Sequence, residues 1–227
     1  MNKFTKLGFG LATSALLVAG LAACSSTSSD TTSPAASSAP SAEATPTPVA
    51  EIPSLGGVDT QVTLDAGFLD ALTSLKLTPG VIGGATLSKE GVLAFPITGG
   101  NVKYYDPSAS YRPYVQGEID HDGSGISLTA GKTVVELTDF KIDPGTSRLT
   151  GTVTANGEKV ADDVYIFNLD GSTLKPLATD ADGNAVLEGT RVLVSPDAAK
   201  LLNDTFGTDA VTDTLLVGIA KITVKAA

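Results

Sequence analysis

The stretch "GEIDHDGSG", residues 117–125, carries the single histidine of this 227-residue chain, His121, between Asp120 and Asp122. Just upstream, Val115, Ile119 and His121 share one parity, and Gln116, Glu118, Asp120 and Asp122 share the other. That period of two is the pattern of a half-buried strand. It turns His121 inward and leaves the acidic set as a short exposed row. Asp122-Gly123-Ser124-Gly125 then reads as a hairpin turn, because Asp-Gly pairs tolerate positive φ. Three roles are open to the histidine. It can pack at the rim of the core beside that turn, the role the turn-rich surroundings favour. It can border a calcium loop, since Asp120, Asp122 and Ser124 have EF-hand spacing. That loop would have Gly131 where the bidentate glutamate belongs. Or it can face a cofactor from the inner side of the sheet.

Working outward, short runs of Val, Ile, Leu and Thr alternate with turn signals. Strands are expected near 59–64, 85–88, 92–98, 114–121, 125–130, 133–142, 148–155, 160–169, 185–194 and 215–224. The punctuation is "KEG" at 89–91, "DGSG" at 122–125, "NG" at 156–157 and "DG" at 170–171 and 182–183. Two short helices interrupt the pattern. Asp65 caps one, with Phe68, Leu69, Leu72 and Leu75 as its apolar stripe. Ser195 caps the other, Pro196 takes its first position and Gly207 ends it. The expected fold is therefore all-β: an antiparallel β-sandwich or barrel-like domain with two short helices.

The N-terminus reads as an address. Lys3 and Lys6 precede an apolar run from Leu7 to Gly20, the layout of a secretory signal. "LAAC", residues 21–24, resembles the lipobox of bacterial lipoproteins. That resemblance implies cleavage between Ala23 and Cys24 and lipid attachment at the Cys24 thiol, holding the protein on the outer face of the cell membrane. The next residues are almost all Ser, Thr, Ala and Pro, the composition of a disordered tether. As a coil such a tether spans on the order of 30 Å, and extended roughly 80 Å. Its length suits a Gram-positive envelope. The expected organisation is a signal peptide over 1–23, a lipidated tether over 24–57 and a β-rich globular domain over 58–227.

Twenty-five acidic residues against 15 basic ones give a net charge of -10. That balance excludes nucleic acid as a partner, which calls for clustered Lys and Arg. Cys24 is the one cysteine, so no intramolecular disulfide and no cysteine-based metal cluster can form. No G-x-S-x-G elbow, H-E-x-x-H motif or phosphate-cradling loop is present, and the chain is not read as an enzyme.

"FPITGGNVKYYDPSASYRPYVQGEIDHDGSGISLTAG" is similar to the central part of HtaA-type domains, with His121-Asp122-Gly123 matching a His-Asp-Gly turn. "TVVELTDFKID" and "SPDAAKLL" follow in similar order. The resemblance covers about Val58 to Val224 and implies a β-rich surface module of actinobacterial haem uptake. It also implies an iron-holding tyrosine near the domain start, where this chain has "LDAGFLDAL" and no tyrosine. The tyrosines nearest His121 in sequence are Tyr104, Tyr105, Tyr111 and Tyr114. Candidate ligand-binding residues are accordingly His121, Tyr111 and Tyr114, with haem as the cofactor the resemblance suggests and no separate metal site. The functional expectation is a lipid-anchored surface protein acting as a binding module, with an envelope protein as a possible partner. The alternative is a structural or adhesive envelope module with no small-molecule ligand.

Overall fold

The computed structural model describes residues 45–227. The signal peptide, the Ala23–Cys24 cleavage and lipid-attachment site and most of the tether lie outside the described residues. Along the chain come β1 (Ala50–Ile52), β2 (Leu55–Leu64), α1 (Ala66–Ser74), β3 (Thr78–Gly83), β4 (Thr86–Leu87), β5 (Val92–Pro96), β6 (Gly99–Tyr104) and β7 (Val115–Ala130). They are followed by β8 (Thr133–Asp143), β9 (Arg148–Ala155), β10 (Glu158–Asp170), β11 (Ala178–Thr179), β12 (Ala185–Val194), α2 (Pro196–Phe206) and β13 (Leu216–Ala226).

The strands form one antiparallel sheet in the order β1-β6-β7-β8-β9-β10-β12-β13-β2-β5-β4, with β3 added to β7 and β11 to β12. It curls into a half-barrel, so the all-β antiparallel expectation holds. Both helices begin and end as their sequences dictate. The Asp65 carboxylate accepts from the Gly67 amide and the Ser195 hydroxyl from the Ala198 amide. Gly207 closes α2 in the left-handed conformation at φ 64°. Leu72 and Phe68 bury one face of α1, and Ala198, Ala199 and Leu202 one face of α2.

The stretch 117–125 is not a hairpin. The two strands expected at 114–121 and 125–130 are one strand, β7. Its first half pairs with β6 through Gly99↔Asp120, its second half with β3 through Gly83↔Ser124, and β8 runs along its other side. Between His121↔Phe140 and Gly125↔Thr138, β7 carries two more residues than β8, a β-bulge. Three bonds hold it. The Gly123 amide donates to Asp139 Oδ1 at 2.8 Å, Ser124 Oγ donates to the His121 carbonyl at 3.0 Å, and the Asp122 amide donates to Thr98 Oγ1 at 2.9 Å. The bulge moves the inward parity from Ile119 and His121 to Ser124, Ile126 and Leu128. Register shifts with a left-handed aspartate recur in β8 at Asp139 (φ 53°) and in β10 at Asp163 (φ 52°). Bulges bend the strands that bear them, and this run of them gives the sheet its curl.

Two further corrections concern short segments. The sheet begins at Ala50 rather than at Val58, because Ala50–Ile52 pairs with Tyr104–Val102 and Leu55 is a core residue. "DG" at 170–171 opens a short 3-10 turn, with Asp170 Oδ1 accepting from the Ser172 amide, instead of a hairpin.

Candidate functional site

The inner face of the half-barrel encloses a cavity of about 290 Å³. Its walls are the inward parity of the strands, among them Val62, Leu93, Ile142, Leu149, Val192 and Ile222. Aromatic rings cross its deep end, two pairs edge to face and one tilted. Phe95 lies 5.4 Å from Phe140 and 6.4 Å from the His121 ring, and Phe140 lies 6.3 Å from Phe167. The cavity opens at one end of the sheet, where exposed Glu51, Arg112, Pro113, Ser147 and Gly171 join its lining. These residues sit at β1 and on the loops after β6, β8 and β10.

His121 lines this cavity as its parity requires, 1% exposed. Its Nδ1 lies 3.2 Å from the Phe140 carbonyl and its Nε2 2.8 Å from Thr60 Oγ1. A carbonyl can only accept, so Nδ1 carries the hydrogen and Nε2 accepts from the Thr60 hydroxyl. Burial drives the imidazole from its ordinary 6.5 down to about 4, against the opposing pull of the Phe140 carbonyl, Asp122 and Asp59. The ring is therefore neutral at physiological pH, with both nitrogens engaged. Thr60 was not singled out from sequence. Its signal is parity, since it alternates with Val62 on β2 and so faces inward.

The tyrosines divide. Tyr104 and Tyr114 line the cavity and meet in a T-shaped pair at 5.9 Å. Tyr111 packs its ring on buried Tyr105 at 4.7 Å and is not part of the lining. Arg112 bridges them. Its guanidinium sits 5.3 Å from the Tyr114 ring centre, and its terminal nitrogens donate to the carbonyls of Pro107 (2.9 Å), Ala109 (2.5 Å) and Tyr111 (2.8 Å). One arginine thus gathers the 105–114 loop at the cavity mouth, a role that sequence reading missed. Lys103, also at the mouth, pairs with Glu51 at 3.2 Å.

The acidic row lies on the outer face. Asp120 is half-buried, and among the described residues one of its oxygens has no hydrogen-bond partner. Its carboxyl is pushed up by burial first and by Glu118 and Asp122 after that, with Lys141 opposing. Ser124 points to the interior, away from Asp122, so the EF-hand spacing does not converge on one point. Among the described residues no three His, Cys, Asp or Glu side chains gather to hold a metal ion.

No protein-family model matches the sequence, and no curated protein matches it. Solved structures similar in fold include the C-terminal domain of HtaA from Corynebacterium glutamicum. It is 15% identical, covers 77% of this chain and 99% of that chain, and gives a TM-score of 0.48. A domain-swapped dimer of a variant of the same domain is 14% identical over 70% of this chain and 92% of that chain, at a TM-score of 0.40. The likeness is one of fold alone, and no residue role or ligand passes through it.

Proposed function

We propose that this chain is a lipid-anchored bacterial surface module that binds an apolar small molecule inside its curled sheet, with the tether from Cys24 holding the domain off the membrane. The observation that carries the reading is the cavity. An interior of about 290 Å³ lined by aliphatic and aromatic side chains, open at one end, stands close to the roughly 300–1,000 Å³ of small-molecule sites. A module with a purely structural role has no need to leave such a volume unfilled, since unfilled apolar volume costs stability.

Haem is the ligand that the sequence resemblance suggests. The walls are apolar, but the donor set does not fit the iron of a haem. Both nitrogens of His121 are engaged, and Tyr111 is turned onto Tyr105. Tyr104 and Tyr114 reach the cavity only at its mouth. No step is assigned to haem.

The test is titration with 1-aminoanthracene, a neutral fluorophore that brightens in apolar surroundings, against the wild type and Ala185→Phe. Ala185 lines the cavity and is half-buried, so a phenyl group there fills space without removing core. Saturable binding by the wild type that is lost in a folded Ala185→Phe variant supports the reading. Equal binding by both, or none by the wild type, refutes it. A haem titration run alongside, in which a shifted Soret band appears, would show that the iron finds a ligand this geometry does not offer.

A further inference from the structure

The cavity is polarised between its wall and its mouth. Two polar side chains are buried in the wall, Thr60 and His121, and they bond to each other and to the Phe140 carbonyl. His121 has both ring nitrogens engaged and Thr60 has spent its one hydrogen on Nε2, so the wall offers a ligand no free donor. A carboxylate or carbonyl brought to that depth would lose its water and find no donor, which is costly. The inner part of an occupant is therefore hydrocarbon.

The mouth is different. Of the five N–H donors of a guanidinium, Arg112 uses three on the loop carbonyls and, among the described residues, keeps two. Among the described residues no carboxylate pairs with it, whereas Lys103 beside it is paired with Glu51. Arg112 is exposed, and its carbonyl bonds and its stacking on Tyr114 fix it in place. A held guanidinium with two unused donors is a ready partner for a carboxylate. Tyr104 and Tyr114 next to it are amphipathic, with an apolar ring and a polar tip.

Building on the cavity-binding reading, we infer that the occupant is a free long-chain carboxylate. Its hydrocarbon tail runs toward Phe95 and Phe140, and its head group sits at Arg112. The small volume suits one chain rather than the two of a phospholipid. The site holds a fatty acid as cargo, and no bond forms or breaks.

The experiment is displacement of 1-aminoanthracene from the intact chain by dodecanoate and by dodecanol, which share a tail and differ in the head. Dodecanoate should bind at least about tenfold more tightly, the effect of one hydrogen-bonded charge. In Arg112→Gln that ratio, read on the variant itself, should fall to near one whatever happens to the two affinities together. Arg112→Lys should retain part of the preference, which separates a charge contact from simple loop anchoring. Equal binding of acid and alcohol by the wild type overturns the head-group assignment while the cavity reading stands. Displacement by neither, with the fluorophore still sensitive to Ala185→Phe, overturns the acyl class alone. Binding to phosphatidylglycerol vesicles without binding to dodecanoate also overturns it. No fluorophore binding at all ends both readings.

Discussion

Nε2 of His121 lies 2.8 Å from Oγ1 of Thr60, and this bond joins β7 to β2, strands well separated in the order of the sheet. The two strands come together where the short connection from β5 to β6 bonds to both, Ile97 to Val58 and Thr98 to Asp120, and the His121–Thr60 bond reinforces that meeting at the level of the bulge. Thr60→Val keeps the shape and removes the hydroxyl, leaving a buried acceptor unpaired. It should cost about 1–3 kcal/mol. In Thr60→Val combined with His121→Ala the two costs should sum to less than their separate values, because one bond is counted in both. Urea unfolding of the three variants measures this.

Acid should weaken the fold through the same ring. His121 takes a proton near pH 6.5 when unfolded and only near 4 when folded. The unfolded state thus binds more protons between those values, and stability falls as pH drops from about 6.5 to 4, then levels off for this group. The loss is on the order of 3 kcal/mol. In His121→Ala that limb of the stability–pH curve should vanish.

Asp120 should act with the opposite sign. Its carboxyl is raised above its ordinary value, so the ionised form is disfavoured in the fold and stability is gained as pH falls through the folded value. Asp120→Asn should therefore raise the melting temperature at neutral pH, with the difference fading in acid.

Glycines with positive φ differ in what surrounds them. At Gly117 (φ 123°) an added Cβ would stand 2.0 Å from the Asn101 carbonyl oxygen of the neighbouring strand β6. At Gly123 (φ 69°) nothing lies within 4 Å. Gly123→Ala should cost only the left-handed backbone, about 1–2 kcal/mol. Gly117→Ala should cost clearly more or prevent folding, as melting curves of the pair will read.

The anchor and the domain boundary have their own checks. Cys24→Ala should move the protein out of the detergent phase. Limited proteolysis should trim the tether and stop before Ala50, because Ala50–Ile52 is paired to β6 and Leu55 is buried.

Sequence reading reached the helix caps at Asp65 and Ser195, the inward facing of His121 and most of the long strands, because each is written in local chemistry. It failed at 121–125 for a physical reason. A turn and a bulge both need a residue that accepts positive φ, and Gly123 serves either. What decides between them is whether β6 and β3 lie alongside, and those contacts are far away in sequence. β1, β3 and β6 were missed because "AEI", "TPGVIG" and "GGNVKY" are short or interrupted by Gly and Pro. Which of Tyr111 and Tyr114 reaches the cavity depends on the fold of one loop, and alternation does not extend into loops.

The most direct test of ligand binding in the cavity is methyl NMR of the isotope-labelled chain during titration with dodecanol. Shift changes should concentrate on cavity methyls such as those of Val102, Ile142, Leu149 and Leu187, and spare exposed Leu87 and Val160 on the outside. Changes confined to the outer residues, or no saturable change anywhere, would contradict the account.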